Sequence, residues 1–238
     1  MKKEIMEQSI ASIEFFLSPQ LFTRDIINRI SQHLIAGDLI VIRNAFEKSL
    51  ARRMFRCLDQ FGEWKLYEGF EEHFHYRHHN IYDETLFPLD LVFCRDIFSS
   101  VPTRRFVQRL SRIDCTGTTF GASWYQPGDH SLPHNDYVGS EDNHRQVAFV
   151  WMLTKEWQPE WGGEFFWCQK GRGISPEFNT LLLFRVQLAS VHFVTQVSRH
   201  AQGKRLALSG WWTRKKESQP DQGRPEHGKS APPVLEII

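Results

Sequence analysis

The sequence predicts an α+β protein, with helices first and then an antiparallel β sandwich or barrel on which those helices pack. Three observations carry that expectation. Apolar residues recur three and four apart over residues 21–34 and 46–61, the spacing of helices with one buried face. From Thr116 onward, short apolar runs alternate with turn residues at roughly 8–12-residue spacing, the texture of sandwiches and barrels. The chain is 41% hydrophobic, with eight tryptophans and nineteen phenylalanines, ample for a broad interior and a lined cavity. Helical segments followed by strands place the helices against one sheet.

The first helix is expected to start at Ser18-Pro19, with Ser18 as cap and Pro19 at the first helical position. Leu21, Phe22, Ile26, Ile27, Ile30 and Leu34 form its apolar face. Gly37-Asp38 ends it, and Leu39 to Ile42 reads as a short buried strand. Phe46, Leu50, Met54, Leu58 and Phe61 mark a second helix closed by Gly62. Residues 63–90 are rich in aromatics, charges and histidines, among them His73, His75, His78 and His79. With no carboxylate or cysteine spacing to support a second metal site, they read as a mobile polar-aromatic loop, available as a lid. Pro102 to Arg112 is a third helix whose arginines form a solvated face.

The strands then follow: Thr118–Tyr125, a turn at Pro127-Gly128-Asp129, the His134–Asp136 segment, and a polar loop from Gly139 to His144. After these come Gln146–Thr154, a tight turn at Trp161-Gly162-Gly163-Glu164, Phe165–Trp167, Leu181–Phe184, His192–Val197 and Arg205–Trp212. His130 and His144 read as loop residues. One domain is expected over 1–215, with 1–115 as helical support and 116–213 as the β core. Residues 216–238 are expected to be a disordered tail, although Val234 to Ile238 are apolar enough to dock.

Charge excludes some function classes. With 29 basic against 28 acidic residues, nothing favours nucleic acid or a membrane surface. No apolar run approaches the roughly 18 residues a membrane span needs. Cys57, Cys94, Cys115 and Cys168 are scattered, without a Cys-x-x-Cys pair, which disfavours a zinc ribbon or disulfide framework. The N-terminus carries acids early and lacks a signal-peptide pattern, so a cytoplasmic protein is expected.

The chemistry starts at His134-Asn135-Asp136. Two residues apart on an extended strand, an imidazole and a carboxylate point the same way. A further histidine downstream would complete two nitrogens and one carboxylate with open positions, the set a non-heme Fe(II) oxygenase needs.

The text around this pair resembles the 2-oxoglutarate/Fe(II)-dependent dioxygenases, in their prolyl-hydroxylase-like branch. The matching blocks are Tyr125-x-Pro127-Gly128, His134-x-Asp136, Trp161-Gly162-Gly163-Glu164, Ser175-Pro176-Glu177-Phe178-Asn179, Ser190-Val191-His192 and Lys204-Arg205-Leu206-Ala207-Leu208-Ser209-Gly210-Trp211-Trp212. The Pro-Glu-Phe-Asn block and the last block look most like the ribosomal-protein prolyl hydroxylases. The resemblance implies a double-stranded β-helix (jelly-roll, cupin-like) core. It also implies His134, Asp136 and His192 as iron ligands, and Arg205 as partner of the distal carboxylate of 2-oxoglutarate. An arginine fork suits a carboxylate through two parallel hydrogen bonds. Ser209 shares the strand face of Arg205, whereas Lys204 has the opposite parity. Tyr125 matches a tyrosine that approaches the cosubstrate.

The implied cofactors are Fe(II), 2-oxoglutarate and O2, with ascorbate as reductant and with succinate and CO2 as co-products. The implied substrate is a prolyl residue of a protein or peptide. A free amino acid or natural-product intermediate is the alternative substrate, and a non-catalytic cupin-like binding or sensor protein is the alternative class. Related halogenases carry a small residue in place of the carboxylate, so Asp136 argues for hydroxylation. Two departures stand out. Thirteen residues separate His192 from Arg205, longer than is usual in this branch, so Arg199 to Gln202 are expected to lengthen a hairpin. Met152 stands where many relatives carry a tyrosine that also touches the cosubstrate.

Overall fold

The computed structural model of the protein describes residues 11–21, 23–71, 74–137, 143–215 and 235–237. Phe22, His73, most of the Gly139–His144 loop and residues 216–234 therefore lie outside the described residues.

Helix α1 (Arg24–Ala36) begins one turn later than the sequence suggests. Pro19–Leu21 form a separate 3-10 turn, and Thr23 caps α1 by accepting from the Ile26 amide. Ser18 instead donates its hydroxyl to the Phe46 carbonyl at 3.0 Å, pinning this entry to the start of the second helix. Gly37 ends α1 in the left-handed conformation, which costs a glycine little. Strand β1 (Ile40–Ile42) is buried throughout, and α2 (Lys48–Gln60) buries Leu50, Ala51, Met54 and Leu58.

The segment expected to be a mobile loop is instead a hairpin, β2 (Lys65–Glu71) and β3 (Phe74–Ile81), paired from Lys65 opposite Asn80 onward. Its backbone groups are satisfied by the ladder, which a loop of this polarity would have left to water. After it comes α3 (Leu89–Ser99), in a stretch to which the hydrophobic spacing assigns nothing. Leu91, Cys94, Ile97 and Phe98 are buried while Val92 and Phe93 are half-buried against the same core. Covered on more than one side, this helix shows no clean apolar stripe. Helix α4 (Val101–Ser111) is capped by Ser100 and has Pro102 in its first turn. Its basic face is partly engaged, since Arg109 pairs with Glu14 at 3.1 Å.

The β region comprises β4 (Gly117–Tyr125), β5 (His130–Ser131), β6 (Asn143–Met152), β7 (Phe165–Trp167), β8 (Arg172–Ile174), β9 (Thr180–Arg185), β10 (His192–Val194), β11 (Arg205–Lys215) and β12 (Leu235–Ile237). The large sheet runs β12-β1-β9-β6-β11-β4-β3-β2, with β5 on β3, and the small sheet runs β10-β7-β8. Pairing is antiparallel except that β12 lies parallel to β1, so residues 235–237 depart from the expected disordered tail. The two sheets face each other as a double-stranded β-helix, and the helices cover the outer face of the large one.

Strand alternation divides the side chains between two cores. Phe120, Phe149, Trp151, Leu206, Leu208 and Trp212 join the helices. Ala148, Met152, Leu182 and Phe184 meet Phe165, Trp167 and Ile174 between the sheets. Successive residues of a strand point to opposite faces, so β11 sends Leu206 and Leu208 outward while Arg205, Ala207, Ser209 and Trp211 line the interior. The expected hairpin before β11 does not form. Because β10 pairs with β7 and β11 with β4 and β6, the Arg199–Gln202 stretch belongs to a crossover between sheets.

Candidate metal centre and cosubstrate cavity

Between the sheets lies a cavity of about 780 Å3. His134, Asp136 and His192 stand on its wall, each offering one ligand atom, and these atoms lie within 4.8 Å of one another. Asp136 does not follow His134 along a strand, as the sequence suggests. The segment after β5 makes one isolated antiparallel bridge, His134 to His192, and then turns. Asp136 has a φ of +60°, a left-handed conformation that aspartate tolerates better than most residues. It is this turn that brings its carboxylate to the two imidazoles. Asn135 fixes the turn: its side-chain carbonyl accepts from the Tyr137 amide at 3.1 Å, and its side-chain amide donates to the Leu188 carbonyl at 3.2 Å.

The backbones of His134 and His192 exchange two hydrogen bonds, of 2.9 and 2.8 Å. Each ring donates Nδ1–H to a carbonyl two residues before it, Leu132 and Ser190 respectively, at 2.8 Å. A carbonyl can only accept, so Nδ1 carries a proton in both rings and Nε2 is the nitrogen left to face the cavity. Those Nε2 atoms lie 3.6 and 3.5 Å from the two oxygens of Asp136. His192 is buried, stacked on Phe165 with ring centroids 5.0 Å apart. Burial pushes its pKa down to about 4, against the pull of Asp136, with His134 lowering it further, so the ring is neutral at pH 7. Two imidazole nitrogens and one carboxylate oxygen, aimed at one point, fit a divalent first-row metal.

Arg205 is 2% exposed, and its Nε donates to the Gly163 carbonyl. Its guanidinium carbon lies 4.4 Å from the centre of the Tyr125 ring. No acid among the described residues pairs with it. Burial lowers its pKa to about 10, opposed by Tyr125, which still leaves a cation at neutral pH. A buried cation without a counter-charge is costly, and a carboxylate in the cavity would supply one. Lys204 points the other way, to Asp59 at 3.1 Å and the face of Trp124. Tyr125 is buried, which raises its pKa, and shares a hydrogen bond with Ser131. Ser209 lines the cavity and is engaged by the Tyr82 hydroxyl. Met152 is fully buried among apolar side chains and adds no polar atom. His130 bonds His75 at 3.0 Å, away from the cavity lining.

Four further residues belong to the cavity, of which strand parity in the sequence places only Trp211 on the face of Arg205. Trp211 donates its indole N–H to Asp136 at 3.0 Å, and Arg145 lies over the Trp211 ring at 4.0 Å with Nη1 3.6 Å from Asp136. Tyr82 and His78 enter from the hairpin side. The period-two series Tyr76, His78, Asn80, Tyr82 was the available signal.

Residues 120–213 match the model of the 2OG-Fe(II) oxygenase superfamily, a span that includes Tyr125, His134, Asp136, His192, Arg205 and Ser209. Solved structures resemble the chain over most of its length. A Pseudomonas putida prolyl-4-hydroxylase is 20% identical, with a TM-score of 0.59, over 80% of this chain and 100% of that one. A Trichoplax adhaerens prolyl hydroxylase, in complex with a hypoxia inducible factor oxygen degradation domain peptide fragment, is 17% identical with a TM-score of 0.59, over 79% and 90% of the two chains. A prolyl 4-hydroxylase from Phytophthora capsici is 19% identical with a TM-score of 0.56, over 82% and 66%. At these identities the structures establish the fold, and the resemblance to the superfamily rests on residues 120–213. The chain thus carries a segment similar to the 2OG-Fe(II) oxygenase superfamily, on a fold shared with the prolyl-hydroxylase structures.

Proposed function

We propose that this enzyme hydroxylates an unactivated C–H bond of a prolyl residue in a protein or peptide, consuming 2-oxoglutarate and O2 and releasing succinate and CO2. On this reading His134, Asp136 and His192 hold Fe(II), and Arg205 pairs with the distal carboxylate of 2-oxoglutarate beside Tyr125 and Ser209. When bound, the metal and cosubstrate supply the oxidising chemistry. The protein holds two imidazoles and one carboxylate at one point and offers a buried cation to the far carboxylate, with Phe165, Phe184 and Val194 on the cavity wall beside them.

The observation that carries the reading is the pairing, in one cavity, of a His-Asp-His cluster with the buried, acid-free Arg205. A peptide is favoured over a small metabolite because Tyr67, Tyr82 and Tyr137 line the cavity while staying about half exposed, which leaves it open to an extended chain. The Trichoplax relative with its bound peptide supports the same choice. Residues 1–215 are read as one domain, the helices 24–111 supporting the β core from outside. Among the described residues no helix is long and apolar enough to cross a membrane. All four cysteines are unpaired, which supports a reducing, cytoplasmic setting.

The test is incubation with Fe(II), 2-oxoglutarate, ascorbate and proline-containing peptides, reading succinate and a mass gain of one oxygen on the peptide. His134→Ala should abolish both signals. Absence of iron binding together with absence of succinate would overturn the reading, and oxidation of free proline but no peptide would move the substrate to the small-molecule class.

A further inference from the structure

The cosubstrate anchor is part of a longer structure. Tyr125 pairs with Arg205 across β4 and β11, and the β3–β4 register, with His79 opposite Trp124, brings His78 opposite Tyr125. Three side chains from three adjacent strands thus form one row on the cavity wall. The His78 and Tyr125 rings lie 5.0 Å apart and within 8° of parallel, and the guanidinium carbon of Arg205 lies 4.4 Å from the same tyrosine ring. The row continues into the hairpin, where Tyr67 and Tyr76 each approach His78 with centroids 6.1 Å apart.

His78 is held in an unusual way. Its buried Nδ1 has no hydrogen-bond partner among the described residues, so its aromatic neighbours alone set the plane of the ring. Burial, with Arg205 next and then His79 and His134, pushes its pKa down to about 4. It therefore stacks as a neutral ring and adds no second cation beside Arg205.

Resting on the proposed role of Arg205, we infer that His78 is a positioning residue: by completing the stack His78–Tyr125–Arg205 it holds the guanidinium in place for the cosubstrate carboxylate and couples the β2–β3 hairpin to the cosubstrate end of the cavity. Arg205 needs such support because its one side-chain hydrogen bond among the described residues, through Nε, leaves the plane of the fork free to tilt. A flat neighbour on one face restrains that tilt, and Tyr125 can supply it only while its own ring is held upright. Offset aromatic pairs are worth about 0.5–1.5 kcal/mol beyond area burial, which corresponds to a roughly two- to twelve-fold effect on an equilibrium.

The experiment is anaerobic calorimetry of 2-oxoglutarate binding to full-length protein loaded with Mn(II), for wild type, His78→Phe, His78→Leu and Arg205→Ala. Phenylalanine keeps a flat face without nitrogens, and leucine fills the space without a flat face. Expected is a dissociation constant within about two-fold of wild type for His78→Phe and roughly five-fold weaker for His78→Leu, with Mn(II) affinity unchanged in both. Wild-type affinity in His78→Leu would overturn the inference. Equal weakening in His78→Phe would overturn it too, by giving the nitrogens a direct role, and a parallel loss of Mn(II) affinity would reduce His78 to a packing residue. If instead Arg205→Ala binds 2-oxoglutarate like wild type, it is the reading of Arg205 that fails.

Discussion

The indole N–H of Trp211 donates to Asp136 at 3.0 Å, which ties a residue of β11 to a carboxylate in a left-handed turn 75 residues earlier in the chain. Trp211→Phe keeps a flat ring beneath Arg145 and removes only the donor. Outer hydrogen bonds of this kind typically affect metal affinity by about 10–100-fold. Fe(II) or Mn(II) affinity should fall by roughly that factor with the fold intact. An unchanged affinity would mean that the turn alone orients Asp136.

Arg205→Ala should weaken 2-oxoglutarate binding on the order of 100-fold, as expected when one member of a buried, hydrogen-bonded charge pair is truncated. Lys204→Ala should stay within about two-fold, because Lys204 faces Asp59. Titration of both variants decides between them, and the reverse ranking would reassign the anchor.

Acid should destabilise the metal-free protein through its buried neutral histidines. His192 and His78 both have pKa values lowered to about 4, chiefly by burial. As pH falls below about 6.5 the unfolded chain takes up protons that the folded one refuses. Stability from these groups is therefore fully present above pH 6.5 and is lost between there and about 4, on the order of 3 kcal/mol per group. Melting of metal-free protein from pH 7.5 to 4.5 should show that decline, and His78→Phe should flatten part of it. A melting temperature independent of pH over this range would contradict the burial of both rings.

Gly121→Ala should be destabilising because of one neighbour. A methyl group there would meet the Tyr82 ring at 2.1 Å and the Ile81 carbonyl at 3.1 Å, forcing the tyrosine off the glycine and away from Ser209. Overpacking of this kind costs about 1–3 kcal/mol. Most of that penalty should vanish in a Tyr82→Ala background, a coupling that a double-mutant cycle reads directly. Additive effects would show that the glycine serves the backbone rather than the ring.

Much of this architecture could be read from residue order. The buried runs Ile40–Ile42 and Leu181–Phe184 are continuously apolar, and the alternation in β11 assigns Arg205 and Lys204 to opposite faces. The hairpin β2–β3 escaped because both its faces are half wet. One carries Tyr67, Tyr76 and His78, and the other carries Glu68, Phe70, His75 and Arg77, so apolar and polar residues do not alternate. The His134–Asp136 pair converges for a different reason from the one its spacing predicts. Strand parity suggested convergence, whereas a left-handed turn, fixed by Asn135 and visible only in three dimensions, achieves it. Trp211 and Arg145 needed the same knowledge, since only the folded sheet shows which side chains reach Asp136.

The two backbone hydrogen bonds between His134 and His192 are also the seam that joins the segment after β5 to the small sheet. Orienting these imidazoles is therefore an outcome of folding, independent of any ion. A cation entering the site meets little ordering entropy, unlike in small metal-nucleated domains, whose metal-free chains are unfolded. Chelation should accordingly strip the centre and leave the barrel standing, so that loss and reloading of metal can proceed as a reversible, local event within an otherwise unchanged protein.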